Sequence, residues 1–286
     1  MGYIHDKKIK KLEVIATDIR QDLIKMLLEA GSGHTAGPIS LADIFTALYF
    51  HVLNHKPKKP NWDGRDRLIL SAGHLAPIRY VAMAYAGYFP KKELMTLRKL
   101  GTRLQGHPER LALPGAETTS GPLGDGIGQA CGIALAALMD KKKFRVYCLM
   151  SDAEQQAGIV WESAMFAAKN NLNNITAIID RNNIQIGGMT EKVMPIEPLR
   201  RKYQAFGWHV LEVDGHNIEA IVDATEAAKA IYEKPTLIIA HTIPGKGLKE
   251  MEFDYKWHGK PPKKDEAENF LKELRTLEGK IKSEHE

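Results

Sequence analysis

Two cysteines in 286 residues, Cys131 and Cys148, are too few for a disulfide scaffold, and they lack the close paired spacing of a zinc or redox motif. Both are expected to be buried and reduced. Long apolar runs are missing as well. The longest candidate, Gly132 to Met139, falls far short of the roughly 20 residues a bilayer span needs, and Asp140 and three lysines follow it. No membrane association is expected. The start of the chain (His5, Asp6, Lys7, Lys8) has neither an apolar signal core nor a small-residue cleavage site, so cytoplasmic residence is expected. No stretch interleaves basic residues with aromatics, which argues against nucleic acid as a partner. Internal repeats and low-complexity linkers are absent too.

What is present is globular material: 44% hydrophobic and 26% charged residues, enough for one domain with a proper core over residues 1–286. The formal charge of +5 comes mainly from lysine pairs and short runs, such as Lys58-Lys59, Lys91-Lys92 and Lys141 to Lys143, which read as solvated surface. Phosphorylated small molecules fit this balance better than nucleic acid.

Ile9, Leu12, Ile15, Ile19, Leu23 and Leu27 recur at helical spacing, predicting an N-terminal helix that ends near Gly31 and Gly33. A second helix is predicted from Ser40 to about Val52. Arg67 to Leu70 reads as a short strand stopping at Ser71-Ala72-Gly73-His74. From Phe144 onward strand and helix alternate: strands over Phe144 to Met150, Asn174 to Asp180, His209 to Val213 and Thr236 to Ala240, helices over Ile159 to Lys169, Glu197 to Phe206 and Ile218 to Tyr232. A charged helix, Asp265 to Glu286, closes the chain. Parallel strands need crossover connections, so this alternation predicts an α/β fold, a parallel sheet with helices on both faces. Ligands of such sheets sit beyond the carboxyl ends of the strands. The residues there are His74, Ser151-Asp152-Ala153, Asp180-Arg181-Asn182-Asn183, and His241 through Gly247.

Asp152 and Asn182 each follow one of two successive strands, which can bring their side-chain oxygens together. Oxygen donors suit Mg2+ or Ca2+, and Mg2+ manages with few protein ligands when phosphate oxygens complete its shell. On spacing alone, a helix cap and a turn residue account for the pair equally well.

The context changes this. Ser151-Asp152-Ala153-Glu154, followed by Asp180-Arg181-Asn182, resembles the thiamine diphosphate motif that begins Gly-Asp-Gly and ends in Asn. Gly31-Ser32-Gly33-His34, Leu70 to His74, Gln105 to Glu109 and Thr118 to Gly124 resemble the successive signatures of the transketolase family, in the family's order. The resemblance, over roughly residues 20 to 260, implies the diphosphate-domain fold that binds thiamine diphosphate. It implies that Asp152, the Asn182 side chain and the Ile184 main-chain carbonyl hold the cation. Gly121 and Leu123 match a loop against the cofactor, Ala153 lies in the diphosphate motif, His74 matches a histidine near the diphosphate, and Ile186 would press on the thiazolium. His34 and His107 match histidines facing the substrate, and His258 in Trp257-His258-Gly259 matches a third. Ketol transfer needs hydroxyls deprotonated and reprotonated, which imidazoles titrating near neutrality can do. His5, His51, His55 and His216 read as ordinary surface or core residues. Pro244-Gly245-Lys246-Gly247 lacks the length and the Ser/Thr of a nucleotide P-loop.

Three departures stand out: Ser151 and Ala153 replace glycines, and Ala157 replaces a glutamate that the family keeps at its subunit interface. Set against the full-length transketolases it resembles, the sequence is expected to lack the pyrimidine-binding and C-terminal domains. The resemblance therefore implies a split enzyme of the pentose phosphate type. A separate C-terminal subunit would carry the pyrimidine-binding domain, sugar phosphates would be the substrates, and a two-plus-two heterotetramer would be the assembly. Two alternatives stay open: another thiamine diphosphate enzyme subunit, or an inactive scaffold with a degenerate motif.

Overall fold

The computed structural model describes residues 6–276. In chain order its elements are α1 (Asp6–Ala30), α2 (Ala36–Ser40), α3 (Ala42–Ala47), β1 (Arg67–Leu70), α4 (Ala76–Ala86), α5 (Asp125–Met139), β2 (Val146–Ser151), α6 (Gly158–Lys169), β3 (Ile175–Arg181), β4 (Ile184–Gln185), β5 (Gly188–Met189), α7 (Thr190–Val193), α8 (Leu199–Ala205), β6 (His209–Asp214), α9 (Ile218–Lys229), β7 (Thr236–His241) and α10 (Lys264–Thr276).

Five strands pair in the order β1-β2-β3-β7-β6, every contact parallel, while β4 and β5 form a small antiparallel hairpin. The central strands are apolar on both faces because helices cover both. Side chains alternate between two cores with the strand period. Leu68, Leu70, Tyr147, Leu149, Ile178 and Ile238 pack with α1, α3 and α4. Ile69, Cys148, Met150, Ala177, Ile179, Leu237 and Ile239 pack with α5 and α6. Ala267, Phe270 and Leu274 of α10 join the first core alongside Leu12 of α1, so the last described helix lies on the first. Both cysteines are buried, and burial pushes the Cys131 thiol up to about 12. No described helix is long and apolar enough to cross a membrane.

Most predicted elements appear within two or three residues of their expected ends. The helix expected from Ser40 to Val52 does not form as one rod. It begins at Ala36, breaks at Leu41, resumes over Ala42–Ala47 and ends in a π turn, Leu48–Val52. At the break the Ser40 hydroxyl donates to the Gly37 carbonyl at 2.7 Å, a local bond that competes with the helical ladder. The C-terminal helix starts at Lys264; its predicted stretch beyond Thr276, like His5, lies outside the described residues.

A buried ion pair ties the helical layer to the sheet. Arg20 of α1 donates to both oxygens of Asp43 on α3, at 3.1 and 2.5 Å, and His216 after β6 bonds the same carboxylate at 3.0 Å. Burial opposes ionisation of Asp43, but Arg20 and His216 outweigh it and hold the carboxyl below its usual range. The other ring nitrogen of His216 accepts from the Ile243 N–H, fixing the loop after β7.

Candidate active site

All strands of the main sheet point the same way, so the loops after β1, β2, β3 and β7 converge at one edge. His34 comes from a different layer, on the loop between α1 and α2. Gly33 there has φ +132°, and a Cβ on it would lie 2.7 Å from Leu27, so the turn that presents His34 requires glycine. Next door, the Thr35 hydroxyl donates to the Lys260 carbonyl at 2.6 Å, drawing the segment of His258 against it. The rings of His34, His74 and His258 then form a near-equilateral triangle, with centroids 4.9, 5.3 and 5.1 Å apart.

Gly73 lets three segments meet. A Cβ at this position would sit 2.8 Å from both the Gly121 nitrogen and the His107 ring, so the loops of His74, His107 and Gly121 touch only because the residue is glycine. The expectation of imidazoles titrating near neutrality is not met. Burial, followed by the neighbouring His258, Arg98 and His107, lowers His34 to about 4. Burial likewise lowers His74 well below its ordinary value, and lowers His107 and His258. At pH 7 the imidazoles are neutral, each with one donor and one acceptor nitrogen.

The carboxylate and amide lie across β2 and β3. Asp152 is fully buried and donates its N–H to the Asp180 carbonyl at 3.1 Å. One carboxylate oxygen, Oδ2, accepts from Arg181 Nη1 at 2.9 Å, the Asn183 N–H at 2.8 Å and the Thr190 hydroxyl at 3.4 Å. The other, Oδ1, is buried and has no partner. Asn182 donates its amide N–H to Asp180 Oδ2 at 2.7 Å, which fixes its flip, and its Oδ1 accepts from the Ile184 N–H at 3.0 Å with a lone pair to spare. Burial pushes Asp180 up to about 7. Behind this group Glu154 takes the Ser71 hydroxyl at 2.5 Å and the Ser151 N–H at 3.1 Å, stitching the ends of β1 and β2 together; burial pushes it up to about 7.

One cavity of about 360 Å3 gathers the residues marked in the sequence: His34, His74, His107, His258, Gly121, Leu123, Ala153, Asn182, Ile184 and Ile186. Asp152, fully buried, comes between two residues of the lining, Ser151 and Ala153. A Cβ on Gly121 would meet nothing within 4 Å, so the loop leaves open space there. Ile186, at the hairpin tip, and Leu123 are exposed apolar side chains on the rim. Among the described residues no three His, Cys, Asp or Glu side chains group to hold a metal ion by themselves. The donor set of one carboxylate oxygen, one amide oxygen and one carbonyl suits a hard cation that shares its shell with phosphate.

The sequence matches the family described as transketolase, thiamine diphosphate binding domain, over residues 7–278. This chain belongs to the transketolase family. It is 37% identical, over 97% of its length and 99% of the relative's, to one of the subunits of apulose-4-phosphate transketolase from Phocaeicola vulgatus. It is 42% identical to the 6-deoxy-6-sulfo-D-fructose transketolase subunit of a Clostridium species, over 81% of this chain and 84% of that one. The transketolase of Homo sapiens is 38% identical over 94% of this chain, which spans only 42% of its length. Among solved structures, transketolase from Leishmania mexicana superposes with a TM-score of 0.88 at 30% identity, covering 92% of this chain and 41% of that one.

Several residues of this transketolase chain that shape the cavity were not marked in the sequence. Gln156 and Gln185 line it and bond each other at 3.0 Å. Arg98, in a left-handed conformation with φ +61°, has its guanidinium about 3 Å from where a Cβ on Gly106 would lie, and its charge helps lower His34 and His107. Asp180 and Arg181 sit inside the recognised motif yet act by orienting Asn182 and Asp152. A positive φ on a non-glycine residue leaves no mark in one sequence, and membership of a motif does not show which neighbour a residue orients. Of the departures, Ser151 and Ala153 line the cavity, whereas Ala157 packs its methyl near Gly124, at the start of α5. His51, His55 and His216 have structural partners, namely Lys8, Tyr88 with Tyr49, and Asp43.

Proposed function

We propose that this chain is the diphosphate-binding subunit of a two-polypeptide transketolase. With a separate subunit carrying the pyrimidine-binding domain, it transfers a two-carbon ketol unit from a ketose phosphate to an aldose phosphate, using thiamine diphosphate and Mg2+. The observation that carries the reading is the buried Oδ1 of Asp152, left without a partner on a residue whose two neighbours line a cavity ringed by histidines, as do Asn182 and Ile184. Two relatives that are called transketolase subunits, and that this chain nearly spans, support the split arrangement.

In this reading Asp152, the Asn182 side chain and the Ile184 carbonyl hold the cation, while Gly121, Leu123, Ala153 and His74 bound the diphosphate. Thiamine diphosphate, when bound, supplies the electron sink for cleavage of the ketose. Ile186 and Leu123 present apolar surface to the ring and keep water from it. The neutral imidazoles of His34, His107 and His258 donate to one substrate oxygen and accept from another, carrying protons between hydroxyls. Arg98 places a fixed positive charge beside them, which suits a sugar bearing an anionic end.

The test is calorimetry on this chain mixed with its C-terminal subunit. Thiamine diphosphate is expected to bind only with Mg2+, and Asp152→Ala to weaken binding about 100-fold, equal to about 2.7 kcal/mol of ligand-induced stability at saturating concentration. Ketol transfer should appear in the mixture and in neither chain alone. No binding in a demonstrably formed complex would mean that Ser151, Ala153 and Ala157 mark a scaffold that has lost the cofactor.

A further inference from the structure

A second cavity, of about 780 Å3, opens beside β1 and away from the histidines. Its walls include Asn61, Arg65, Arg67, Arg110, Glu117 and Thr118. Arg65 and Arg67 are mostly buried and share one carboxylate, Glu117, at 2.6 and 3.7 Å. Arg79, fully buried, and Arg110 add their charges to the same carboxylate. Four guanidinium groups therefore face one Glu. Asp63, which also meets Arg67, is itself shared with Lys142 on the outer surface. The cluster is rich in positive charge, and burying unbalanced charge is costly.

The polar bookkeeping of the same wall is also incomplete. Thr118 is nine-tenths buried, and its hydroxyl has no hydrogen-bond partner; Arg65 Nε is buried and unpartnered as well. Buried polar atoms are usually satisfied, so each such atom calls for a reason. A planar guanidinium with spare donors and a free hydroxyl suit the tetrahedral oxygens of a phosphoryl group.

We propose that this cavity is an anion site that binds a small phosphomonoester, with Arg110, Arg65 and the Thr118 hydroxyl as its donors and Glu117 holding Arg65 and Arg67 in place. The site shares no lining residue with the histidine cavity, but the two are built on the same pair of loops. Arg110 is three residues from His107 and Thr118 is three from Gly121, and the two loops are joined by the Ser120 N–H to the Pro108 carbonyl at 3.1 Å and the Arg110 N–H to the Thr119 hydroxyl at 3.2 Å. An anion seated here bears on the loops that carry His107 and Gly121.

Titration of the full chain with inorganic phosphate and with glycerol 3-phosphate, followed by calorimetry, tests this. Saturable binding is expected, at least tenfold weaker in Arg110→Gln and in Thr118→Val, and unchanged in Asp152→Ala and His34→Gln. Arg110 is exposed and Thr118→Val keeps the side chain's shape, so loss of binding with unchanged thermal unfolding reports the site rather than the fold. Binding that survives both cavity variants but is lost in His34→Gln would place the anion in the histidine cavity and overturn the proposal. Absence of saturable binding to the wild-type chain would overturn it as well.

Discussion

His34 shows how burial resets a side chain's chemistry. Its folded value of about 4 lies below the ordinary 6.5, so between those pH values the unfolded chain holds a proton that the folded chain refuses. Its contribution is complete above pH 6.5 and is lost as the pH falls toward 4, with a slope of at most about 1.4 kcal/mol per pH unit. His258, Arg98 and His107 act in the same direction as burial, and the His74 ring packs against it at 4.9 Å. Glu154 and Asp180, raised to about 7, have the opposite sign: they cost stability as the pH rises from the carboxylate range through 7. The two sets overlap, so the histidine share is read by difference. In urea unfolding between pH 4.5 and 7, His34→Gln is expected to lose stability less steeply on acidification than the wild type. Equal slopes would mean that His34 is not held neutral by the fold. None of this could be read from the chain, because a histidine's letter does not say how much water surrounds it. His34, His74 and His107 could nonetheless be marked for the site, since each sits in a glycine-bearing block.

At the scale of elements, the strands were readable because sheets covered on both faces demand continuous apolar runs, and Val146–Ser151, Ile175–Arg181 and Thr236–His241 supply them. The interrupted helix around Leu41 was not readable, since its apolar spacing runs on through the break and the Ser40 hydroxyl's bond to the Gly37 carbonyl leaves no mark in the sequence. Helices α4 and α5 escape a reading by periodicity, the latter showing only as an apolar run from Gly132. The contacts between loops are also hidden, and Gly73 governs them. Gly73→Ala would push a methyl group into the Gly121 backbone and the His107 ring at 2.8 Å. A cost of about 1–3 kcal/mol in chemical denaturation is expected from overpacking, together with at least tenfold weaker thiamine diphosphate binding. A variant with wild-type stability and affinity would show that these loops part without consequence.

Across the whole molecule, the layers are held together by apolar packing and by the pair of Arg20 with Asp43, reinforced by His216. Asp43→Ala leaves a guanidinium buried without its counter-charge, and a loss of about 3–5 kcal/mol is expected in urea unfolding. Arg20 and Asp43 looked like ordinary charged positions in amphipathic helices. That they meet depends on how α1 crosses α3, which only the assembled fold determines.

The bond between the Thr35 hydroxyl and the Lys260 carbonyl joins residues 225 positions apart, and it closes the triangle of His34, His74 and His258. On the ribosome, His34 and His74 are made early and wait until the segment around Lys260 has left the exit tunnel. Contacts of such long sequence separation form slowly. A nascent chain can therefore carry a finished sheet while the third ring of the triangle, His258, is still missing, so the histidine cluster is the last part of the cavity to be completed.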